Sequence, residues 1–433
     1  MSRPLRVVHA LGWYFPESSG GTEVYVEGLI RHLQPLGVTS TVVAPESAPS
    51  TEDYEWRGVG VHRYPVADAP RRDIVEGRPH RDFAAFANWL SQREVDIYHQ
   101  HTWTRGCGQA HLSYARSLGL KTVVTVHIPS VVCLRGTMML HGAQACDGKV
   151  EVGRCTECWG QDRGIPETVR RWQSRHHTAS TIASRLAPLP RLQTMLATPA
   201  LVERRQRDIV RMAAEADHVV AVCQWLYDAL AANGVPSEKL SLVAQGTDIS
   251  SAPASTRVTH KPLRVGFIGR WDRVKGIDTL IDAFRLLDAS VDAELVIHGL
   301  PADADYEREL RCRAAGTPRI RIEAAVRREQ IPSTLAGFDV LAVPSRWLET
   351  GPLVVLEAFA TGTRVLGSAL GGIAELVVSD RHGRLLPPND PLAWSLAIAD
   401  LATQRNQLTA IPSPRSVADV ARETRAVYDA LTH

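Results

Sequence analysis

Short apolar runs alternate with amphipathic stretches along most of the chain. Residues 5–10 form one such run, which is followed by a loop ending in Gly20-Gly21 and by an amphipathic stretch over residues 22–36. A strand, a glycine loop and a helix in this order begin a doubly wound α/β domain. Further strands of this half are predicted at residues 38–43, 95–101, 121–127, 217–222 and 240–244.

The same plan of strands and helices starts again in the second half of the chain. Residues 251–261 are rich in Pro, Ser and Thr, which is typical of a linker. Residues 263–269 then read as a strand, followed by a charged loop and a helix with one apolar face. A chain of 433 residues is long enough for two or three domains with ample cores. We therefore predict two tandem α/β domains.

The stretch over residues 345–357 holds the main candidate site. An apolar run over residues 338–343 predicts a buried strand that ends at Pro344, and a helix is expected to start at Pro352. The start of a helix offers unpaired N–H groups and a positive dipole end, so it can receive an anion such as a diphosphate. Gly351 leaves room for a ligand to approach the backbone.

Two carboxylates bracket this anion site. Glu349 lies in the loop after the strand, and Glu357 lies just over one turn into the helix. Carboxylates accept hydrogen bonds, so beside an anion site they suit hydroxyl groups better than the anion itself. A ligand with a diphosphate in its middle and hydroxyls on both sides is a nucleotide-sugar. The alternative is that both glutamates are ordinary surface residues.

Arg270 and Lys275 flank a second loop between a strand and a helix. Two cations in this arrangement suit a diphosphate that is gripped from one side, although taken singly they would be ordinary surface charge. Gly20 and Gly21 lie directly before the first helix, where the backbone can approach a phosphate or a sugar. Turns explain such a glycine pair at least as often.

Histidines lie at the ends of two N-terminal strands. His99 and His101 fall on the same side of an extended segment, and His127 ends the apolar run over residues 121–127. In an open α/β sheet the ligand crevice lies at the carboxyl ends of the strands, so these side chains are candidates for a site. A single histidine there is more often structural, and we interpret His99 in that way.

Four cysteines lie in a loop rich in glycine and charge. Their spacing is C-x12-C-x8-C-x2-C, formed by Cys133, Cys146, Cys155 and Cys158. Four thiolates that include C-x2-C are the right set for a structural, tetrahedral zinc ion, which is our prediction. The alternatives are two disulfides, four free thiols or an iron–sulfur cluster.

Residues 161–211 are basic, because ten arginines against four acidic residues leave a charge of +6. Apolar residues such as Trp172 and Leu186 are interspersed among the arginines. Such a segment could contact an anionic membrane surface or an acidic acceptor, and could equally be a solvated helical insert packed on its domain. We favour the packed insert and keep peripheral membrane contact as the second interpretation.

Composition and net charge exclude few classes of protein. The chain is 44% hydrophobic and 22% charged, as in ordinary globular proteins. Its net charge of +2 argues neither for nor against nucleic acid, and we expect no such partner. No run approaches the length of a transmembrane helix, and the N-terminus leads straight into a strand without a signal-peptide core. We therefore expect a cytoplasmic protein whose cysteines are reduced or bound to metal.

Two of these motifs resemble those of one enzyme family, the retaining GT-B glycosyltransferases of family 4. Glu349 and Glu357 lie at the two ends of a stretch that looks like the family's E-x7-E motif. Arg270 and Lys275 match its Gly-Arg…Lys-Gly pattern for gripping the diphosphate.

Two glycine-containing turns extend the resemblance along the chain. Residues 371–375 resemble the family's GG-x-x-E signature, and residues 245–248 resemble its NGVD turn with Gln245 in place of Asn. The resemblance covers nearly the whole chain outside residues 133–211, and cysteine-bearing inserts occur at that place in some family members.

The resemblance implies a GT-B fold, in which two Rossmann-like, doubly wound α/β domains face each other across a cleft. Residues 1–250 would form the acceptor domain, with the cysteine- and arginine-rich insert at about 133–211. Residues 251–262 would be the linker and residues 263–412 the donor domain. Residues 413–433 would form a helix that packs back on the first domain.

The implied reaction moves a sugar from a UDP-, GDP- or ADP-sugar to an acceptor hydroxyl, with retention at the anomeric carbon. Glu349 would hold the sugar hydroxyls of the donor and Glu357 the ribose hydroxyls. No metal or other cofactor would be needed for the chemistry, because cations and a helix start neutralise the leaving diphosphate. The groups at this diphosphate site are Arg270, Lys275, Gly351, Pro352 and Leu353.

The N-terminal half matches the family less specifically. Family members carry a histidine that faces the donor sugar at the position of His127, and His101 matches a weaker feature. Gly20 and Gly21 would close over the donor phosphate from the first domain.

Three other functions stay open at this point. A nucleotide-sugar epimerase would share the fold and need no acceptor. A non-catalytic nucleotide-sugar-binding partner would be expected to lack the set formed by Glu349, Arg270 and Lys275, which is present here. An adaptor for membranes or nucleic acid would use the cysteine- and arginine-rich insert without binding a donor.

Overall fold

The computed structural model describes residues 3–18, 20–67, 73, 78–250, 262–403 and 411–432. The chain divides into two compact units, which we call the first unit (Met1–Ala244 with Val417–His433) and the second unit (Gln245–Ser416). The predicted linker at 251–262 lies, except for residue 262, outside the described residues.

The first unit is built on a sheet in the order β10-β9-β6-β5-β1-β2-β4-β3, with all pairs parallel except β3 with β4. Its strands are Leu5–Ala10 (β1), Val38–Glu46 (β2), Glu52–Trp56 (β3), Val59–Pro65 (β4), Ile97–Gln100 (β5), Lys121–Val126 (β6), His218–Ala221 (β9) and Leu240–Leu242 (β10). The strand order reverses beside β1, because the chain adds β2 and β4 on one side and β5 onward on the other. Ligands bind at such switch points, outside the carboxyl ends of the strands.

Helices cover this sheet and the insert that follows β6. They are Gly21–Leu33 (α1), Phe83–Ser91 (α2), Gln109–Ser117 (α3), Val152–Asp162 (α4), Glu167–Arg175 (α5), His177–Leu186 (α6), Pro190–Leu196 (α7), Thr198–Glu215 (α8), Gln224–Ala232 (α9) and Val417–Thr432 (α16). A two-stranded ribbon, Met139–Leu140 (β7) with Gln144–Ala145 (β8), lies in the cysteine loop. The helix α16 packs on α1, so the end of the chain belongs to the first unit.

The second unit repeats the plan with a fully parallel sheet in the order β13-β12-β11-β14-β15-β16. Its strands are Leu263–Ile268 (β11), Ala293–His298 (β12), Ile320–Glu323 (β13), Val340–Val343 (β14), Arg364–Ser368 (β15) and Gly383–Leu386 (β16). Its helices are Ile277–Leu286 (α10), Ala304–Ala314 (α11), Ile331–Ala336 (α12), Leu353–Ala360 (α13), Gly371–Leu376 (α14) and Pro391–Thr403 (α15). Counted within the unit, the order 3-2-1-4-5-6 is that of a Rossmann fold, and its switch point lies between β11 and β14.

Apolar residues of these strands explain why the sheets are buried. In the second unit, Leu263, Val265 and Phe267 of β11 point to one face and pack with Leu280 and Phe284 of α10. Alternate residues of a strand face the same side of the sheet, and residues three or four apart lie on the same face of a helix. The apolar residues of β11 and α10 follow these two patterns, which produces the contact. Short 3₁₀ helices occur at Gln34–Leu36, Pro129–Val131, Ser237–Lys239, Arg273–Lys275 and Arg328–Gln330.

Sequence analysis did not identify β3 and β4. Strand β3 is an antiparallel edge strand, and charged residues such as Glu52 and Glu55 leave it without a run of apolar positions. Among the described residues, no helix combines the length and the hydropathy needed to cross a bilayer.

Candidate functional site

The loops after β11 and β14 bring a lysine and a glutamate together. Lys275 Nζ lies 2.7 Å from Glu349 Oε1, and the Ser345 hydroxyl donates a 2.6 Å hydrogen bond to the same oxygen. Burial alone would raise the pKa of Glu349, but the charge of Lys275 and these hydrogen bonds lower it below the usual value. Glu349 is therefore a buried carboxylate that keeps its charge at neutral pH.

Glycines allow separate backbone segments to meet around Glu349. Gly276 has a φ of 68° and lies against the carbonyl of Pro344, where a Cβ would clash. Gly371 has a φ of 48°, and the N–H of Gly372 donates a 2.7 Å hydrogen bond to the carbonyl of Glu349. The glycine pair of the predicted GG-x-x-E turn thus packs directly on the loop that carries Glu349.

An ion pair that sequence analysis missed joins the same two loops. Arg346 Nη2 lies 2.7 Å from Asp278 Oδ2 and donates a 2.7 Å hydrogen bond to Thr279 Oγ1, both in the first turn of α10. The Tyr306 hydroxyl donates to the other oxygen of Asp278 at 2.8 Å. Arg346 thereby fixes the loop that carries Glu349. Its position in the sequence gave no signal, because its partners lie far away along the chain.

The helix α13 begins one residue later than predicted. Pro352 is its N-cap residue, because a ψ of 122° keeps Pro352 extended, and Leu353 is the first helical residue. Gly351 precedes it with a φ of 96°. Glu357 is buried within the helix, and Arg328 Nη1 lies 3.3 Å from its Oε1. Burial raises the pKa of Glu357, and the charge of Arg328 only partly opposes this.

The predicted phosphate-gripping cations differ in their surroundings. Arg270 is exposed just after β11. Lys275 ends the 3₁₀ turn Arg273–Lys275, and its Nζ also lies 5.5 Å from the centre of the Trp347 ring. The structure therefore brings Lys275 to Glu349 and leaves Arg270 accessible from solvent.

In the first unit, four histidines form a buried cluster at the strand ends. His9 Nδ1 lies 3.1 Å from His101 Nε2, and His101 Nδ1 lies 3.2 Å from His127 Nε2. At the other end of this chain of hydrogen bonds, His9 Nε2 lies 3.2 Å from Ser40 Oγ. His9 is opposite His99 in the register of β1 and β5, which places the fourth histidine beside the chain.

His99 is held by two hydroxyl groups. Its Nδ1 lies 2.6 Å from the Tyr428 hydroxyl and its Nε2 lies 2.7 Å from Thr125 Oγ1. One nitrogen each of His9, His99 and His101 lies within 4.8 Å of the others, a spacing that could hold a metal ion. Both ring nitrogens of all three already have hydrogen-bond partners. We therefore interpret the cluster as a hydrogen-bonded network.

Burial keeps these imidazoles neutral. It lowers the pKa of His9 and of His127 to about 3 and holds that of His101 well below its usual value. A neutral imidazole donates with one nitrogen and accepts with the other, so the chain from Ser40 to His127 must run in one direction. Reversing one hydrogen bond reverses all of them, and the tautomer of His127 is therefore coupled to that of His9.

Gly20 and Gly21 lie at the start of α1, where they were predicted. Gly20 is the N-cap residue, and both glycines are exposed. A Cβ at Gly20 would meet the carboxylate of Glu23, which accepts a 2.9 Å hydrogen bond from the Ser18 hydroxyl, whereas Gly21 has open space around it.

The four cysteines of the insert are free thiols, and the prediction that all four lie in a loop is wrong, because Cys155 and Cys158 lie in α4. Among the described residues, no three of their sulfurs lie within 4.8 Å of one another, whereas tetrahedral zinc needs four around one ion. Cys158 Sγ accepts a 3.1 Å hydrogen bond from the N–H of His141. Burial raises the pKa of Cys155 to about 11, which keeps its thiol protonated. The zinc prediction thus rests on the sequence alone.

Two protein-family models match the chain. The model described as glycosyl transferase 4-like domain matches residues 20–246, and the model described as glycosyl transferases group 1 matches residues 248–414. The first match alone covers more than half of the chain, and the two together leave only the ends unmatched.

Relatives with known names are similar over different lengths. A D-inositol 3-phosphate glycosyltransferase of Corynebacterium urealyticum is 31% identical over 193 residues, which cover 40% of this chain and 45% of that protein. The D-inositol 3-phosphate glycosyltransferase 1 of Catenulispora acidiphila is 24% identical over 413 residues, which cover 91% of this chain and 85% of that protein. The first alignment therefore spans less than half of its relative.

Solved structures share the fold over nearly the full length. The Anabaena protein HepE, in complex with UDP and glucose, has a TM-score of 0.64 at 14% identity and covers 99% of this chain and 100% of its own. The sucrose-phosphate synthase of Thermosynechococcus elongatus has a TM-score of 0.60 at 18% identity, with coverage of 99% and 95%. These likenesses confirm the predicted GT-B fold with two Rossmann-like domains, and at such identities they establish the fold alone.

Proposed function

Since the chain belongs to the glycosyl transferase family whose models match its two halves, we propose that it moves a sugar from a nucleotide diphosphate-sugar to an acceptor hydroxyl with retention at the anomeric carbon. The observation that carries this proposal is the pair formed by Lys275 and Glu349. It lies at the switch point of the second sheet, beside the start of α13, where an anion site and a hydroxyl acceptor meet.

The second unit would bind the donor. Lys275 and Arg270 follow β11, and the unpaired N–H groups of α13 follow β14, so both can contact a diphosphate placed outside these strands. A bound diphosphate would compete with Glu349 for Lys275. Glu349 would then accept hydrogen bonds from the sugar hydroxyls, and Glu357 from the ribose hydroxyls.

Charge development explains why these groups suit a transfer reaction. As the bond between the anomeric carbon and the β-phosphate breaks, positive charge develops on the sugar and negative charge on the leaving diphosphate. Lys275, Arg270 and the start of α13 would stabilise the negative charge, so the proposal assigns this task to the protein rather than to a metal ion. The fixed negative charge of Glu349 would orient the sugar while it carries positive charge.

The test measures nucleotide binding and the rate of sugar transfer separately. Donor identity comes from a calorimetric screen of UDP-, GDP- and ADP-sugars. With the donor found, Glu349→Gln should lower kcat by roughly 10²-fold, the effect of one preorganised electrostatic group, and should leave the affinity for the free nucleoside diphosphate unchanged. Glu357→Gln should mainly weaken nucleotide binding, and the exposed Glu329→Gln is the matched control. Near-normal turnover of Glu349→Gln would contradict the proposal.

A second proposal concerns the tip of the insert between α6 and α7. Ile182, Leu186 and Leu189 are 53%, 78% and 58% exposed there, beside Arg185 and Arg191. Exposed apolar side chains among cations suit peripheral contact with an anionic bilayer.

The measurement for this contact is flotation with anionic and with neutral liposomes. Leu186→Ser with Leu189→Ser should abolish flotation, whereas Val210→Ser, which replaces an equally exposed residue on α8, should not. Wild-type protein that ignores anionic liposomes at low salt would leave the insert without a membrane role.

A further inference from the structure

A cavity of about 580 Å³ in the first unit is lined by five arginines. They come from separate parts of the sequence, namely Arg78, Arg105, Arg163, Arg204 and Arg205. Two aspartates also line the cavity, so among the described residues five cations against two anions leave a charge of +3. Cationic cavities of this size suit small anionic molecules.

Two of the guanidinium groups have donors that nothing in the described chain uses. Arg105 Nη2 and Arg205 Nε are both shielded from solvent, and neither has a hydrogen-bond partner among the described residues. Burial lowers the pKa of Arg205, but an arginine stays charged throughout the physiological range. Because both donors belong to side chains that line the cavity, a ligand bound there could supply the oxygen atoms that they lack.

Asp208, the acidic residue of α8 that lines the cavity, does not account for this charge. Asp208 pairs with Arg204, whose Nε lies 3.4 Å from its Oδ2. Burial raises the pKa of Asp208, although the surrounding arginines oppose that change. Asp208 also interacts with the charge of Arg205, but Arg105 Nη2 and Arg205 Nε still have no hydrogen-bond partner among the described residues.

The insert and the sheet edge hold the cavity in shape. Gln109 Nε2 on α3 donates a 2.7 Å hydrogen bond to Glu215 Oε2 at the end of α8. The cysteine loop is fixed to the end of α9, because the amide of Asn233 donates to the Gly148 carbonyl at 2.8 Å and its oxygen accepts from the Val150 N–H at 2.8 Å. Of these residues Gln109 lines the cavity itself, and the contacts of Asn233 fix the neighbouring cysteine loop.

The cavity also lies close to the histidine cluster. Trp103 and Arg105, which line it, follow His101 directly at the carboxyl end of β5. Trp103 adds an aromatic ring of the kind that packs on the apolar face of a sugar or polyol, whereas the Arg163 guanidinium lies over the Trp159 ring, 4.7 Å from its centre. A molecule in the cavity would therefore meet both cations and an aromatic ring.

We propose that this cavity binds the oxyanion of a polyhydroxylated acceptor, that is, a phosphate or carboxylate group on the molecule that receives the sugar. The proposal rests on the proposed transferase function and names the class of its acceptor. Arg105 and Arg205 hold the oxyanion through charge-assisted hydrogen bonds, and the insert that carries Arg205 makes anionic acceptors the preferred ones.

The experiment measures binding by calorimetry on the full chain, with inorganic phosphate, glucose 6-phosphate, glucuronate and neutral glucose as probes. At least one anionic probe should bind, glucose should not, and the preferred anion identifies phosphate or carboxylate as the recognised group. Arg105→Gln with Arg205→Gln should weaken that binding at least tenfold. Arg171→Gln with Arg175→Gln, which changes two exposed arginines of α5, is the matched control and should leave it unchanged. Arg163→Gln, at an exposed position of the lining, provides a second variant if the first one fails to fold.

Two further readouts keep this inference separate from the transferase proposal. The affinity for the free nucleoside diphosphate should be the same in the cavity variant and the wild type, and a loss of that affinity would overturn the acceptor assignment. In transfer assays, the cavity variant should raise KM for an anionic acceptor at least tenfold and leave KM for a neutral one unchanged. Anion binding that survives the cavity variants would overturn the inference while the transferase proposal stands.

Discussion

The two units share one strand plan but bury ionisable side chains in opposite ways. In the first unit, the buried groups at the switch point are neutral imidazoles, hydrogen-bonded to one another and to the hydroxyls of Ser40, Thr125 and Tyr428. In the second unit, they are carboxylates, and each has a cation beside it, as Glu349 has Lys275. The histidine cluster of the first unit therefore excludes charge, whereas the corresponding edge of the second unit keeps it.

This difference suits the two tasks that a transferase divides between its units. A network of neutral histidines can orient the hydroxyl group of a bound molecule without attracting counter-ions. Because the tautomers are coupled, the network also fixes which nitrogen of His127 accepts a hydrogen bond. A set of buried ion pairs can exchange one partner for a ligand, because under the proposed function Lys275 would lose little if a diphosphate replaced Glu349. The fold is common to both units, and the buried side chains decide what each can bind.

The largest expected effect is a loss of stability in the first unit on acidification. The folded pKa of His9 and His127 is about 3, below the value near 6.5 for an unfolded chain, so the unfolded chain binds protons that the folded one does not. Stability is complete above pH 6.5 and falls as the pH drops from there towards 3. From pH 7 to pH 5 the loss should be about 2 kcal/mol for each such histidine.

Hydrogen exchange at pH 7 and pH 5, corrected for intrinsic rates, checks this prediction. Protection of β1, β5 and β6 should fall, and protection of β11 and β14 should change much less. The pKa of Glu349 lies below its usual value, so its ion pair with Lys275 is lost only at lower pH. Burial lowers the pKa of the half-buried His382, which therefore adds a smaller loss of stability on acidification. His9→Gln should reduce the pH dependence and the exposed His141→Gln should not. Equal loss in both units would contradict the comparison.

The sequence predicted which side chains lie together better in the second unit's candidate site than in the first unit's histidine cluster. Glu349, Lys275 and the glycine pair at 371–372 lie in short motifs at strand ends, and the structure brings them together. A strand end and the helix after it are adjacent in the chain, so spacing alone determines much of that geometry.

The first unit depends on neighbours that spacing cannot reveal. His9 lies inside an apolar strand and was passed over, and only the register of β1 with β5 places it beside His99. Tyr428 reaches the same cluster from the last helix of the chain. The arginine cavity joins segments around Arg105 and Arg205, which are far apart in sequence and carry no motif. Tertiary packing determines these contacts.

An effect of comparable size is expected when the charged edge loses one partner. Lys275→Met would leave the carboxylate of Glu349 buried without its cation, which typically costs about 3–5 kcal/mol of stability. Without Lys275, burial would raise the pKa of Glu349, so the variant should recover stability as the pH falls from 7 towards 5. That direction is opposite to the one expected for the first unit.

The double variant shows whether the cost comes from the unpaired charge. Lys275→Met with Glu349→Gln removes both charges, so protection of β14 and α13 against hydrogen exchange should return most of the way, while turnover stays low. The matched control is Arg273→Met, which breaks the more exposed pair with Glu309 and should cost less than about 1 kcal/mol. If the double variant were as unstable as Lys275→Met, the lysine would act through packing on Trp347, 5.5 Å from its Nζ, rather than through charge. The second unit would then not differ from the first in the way proposed.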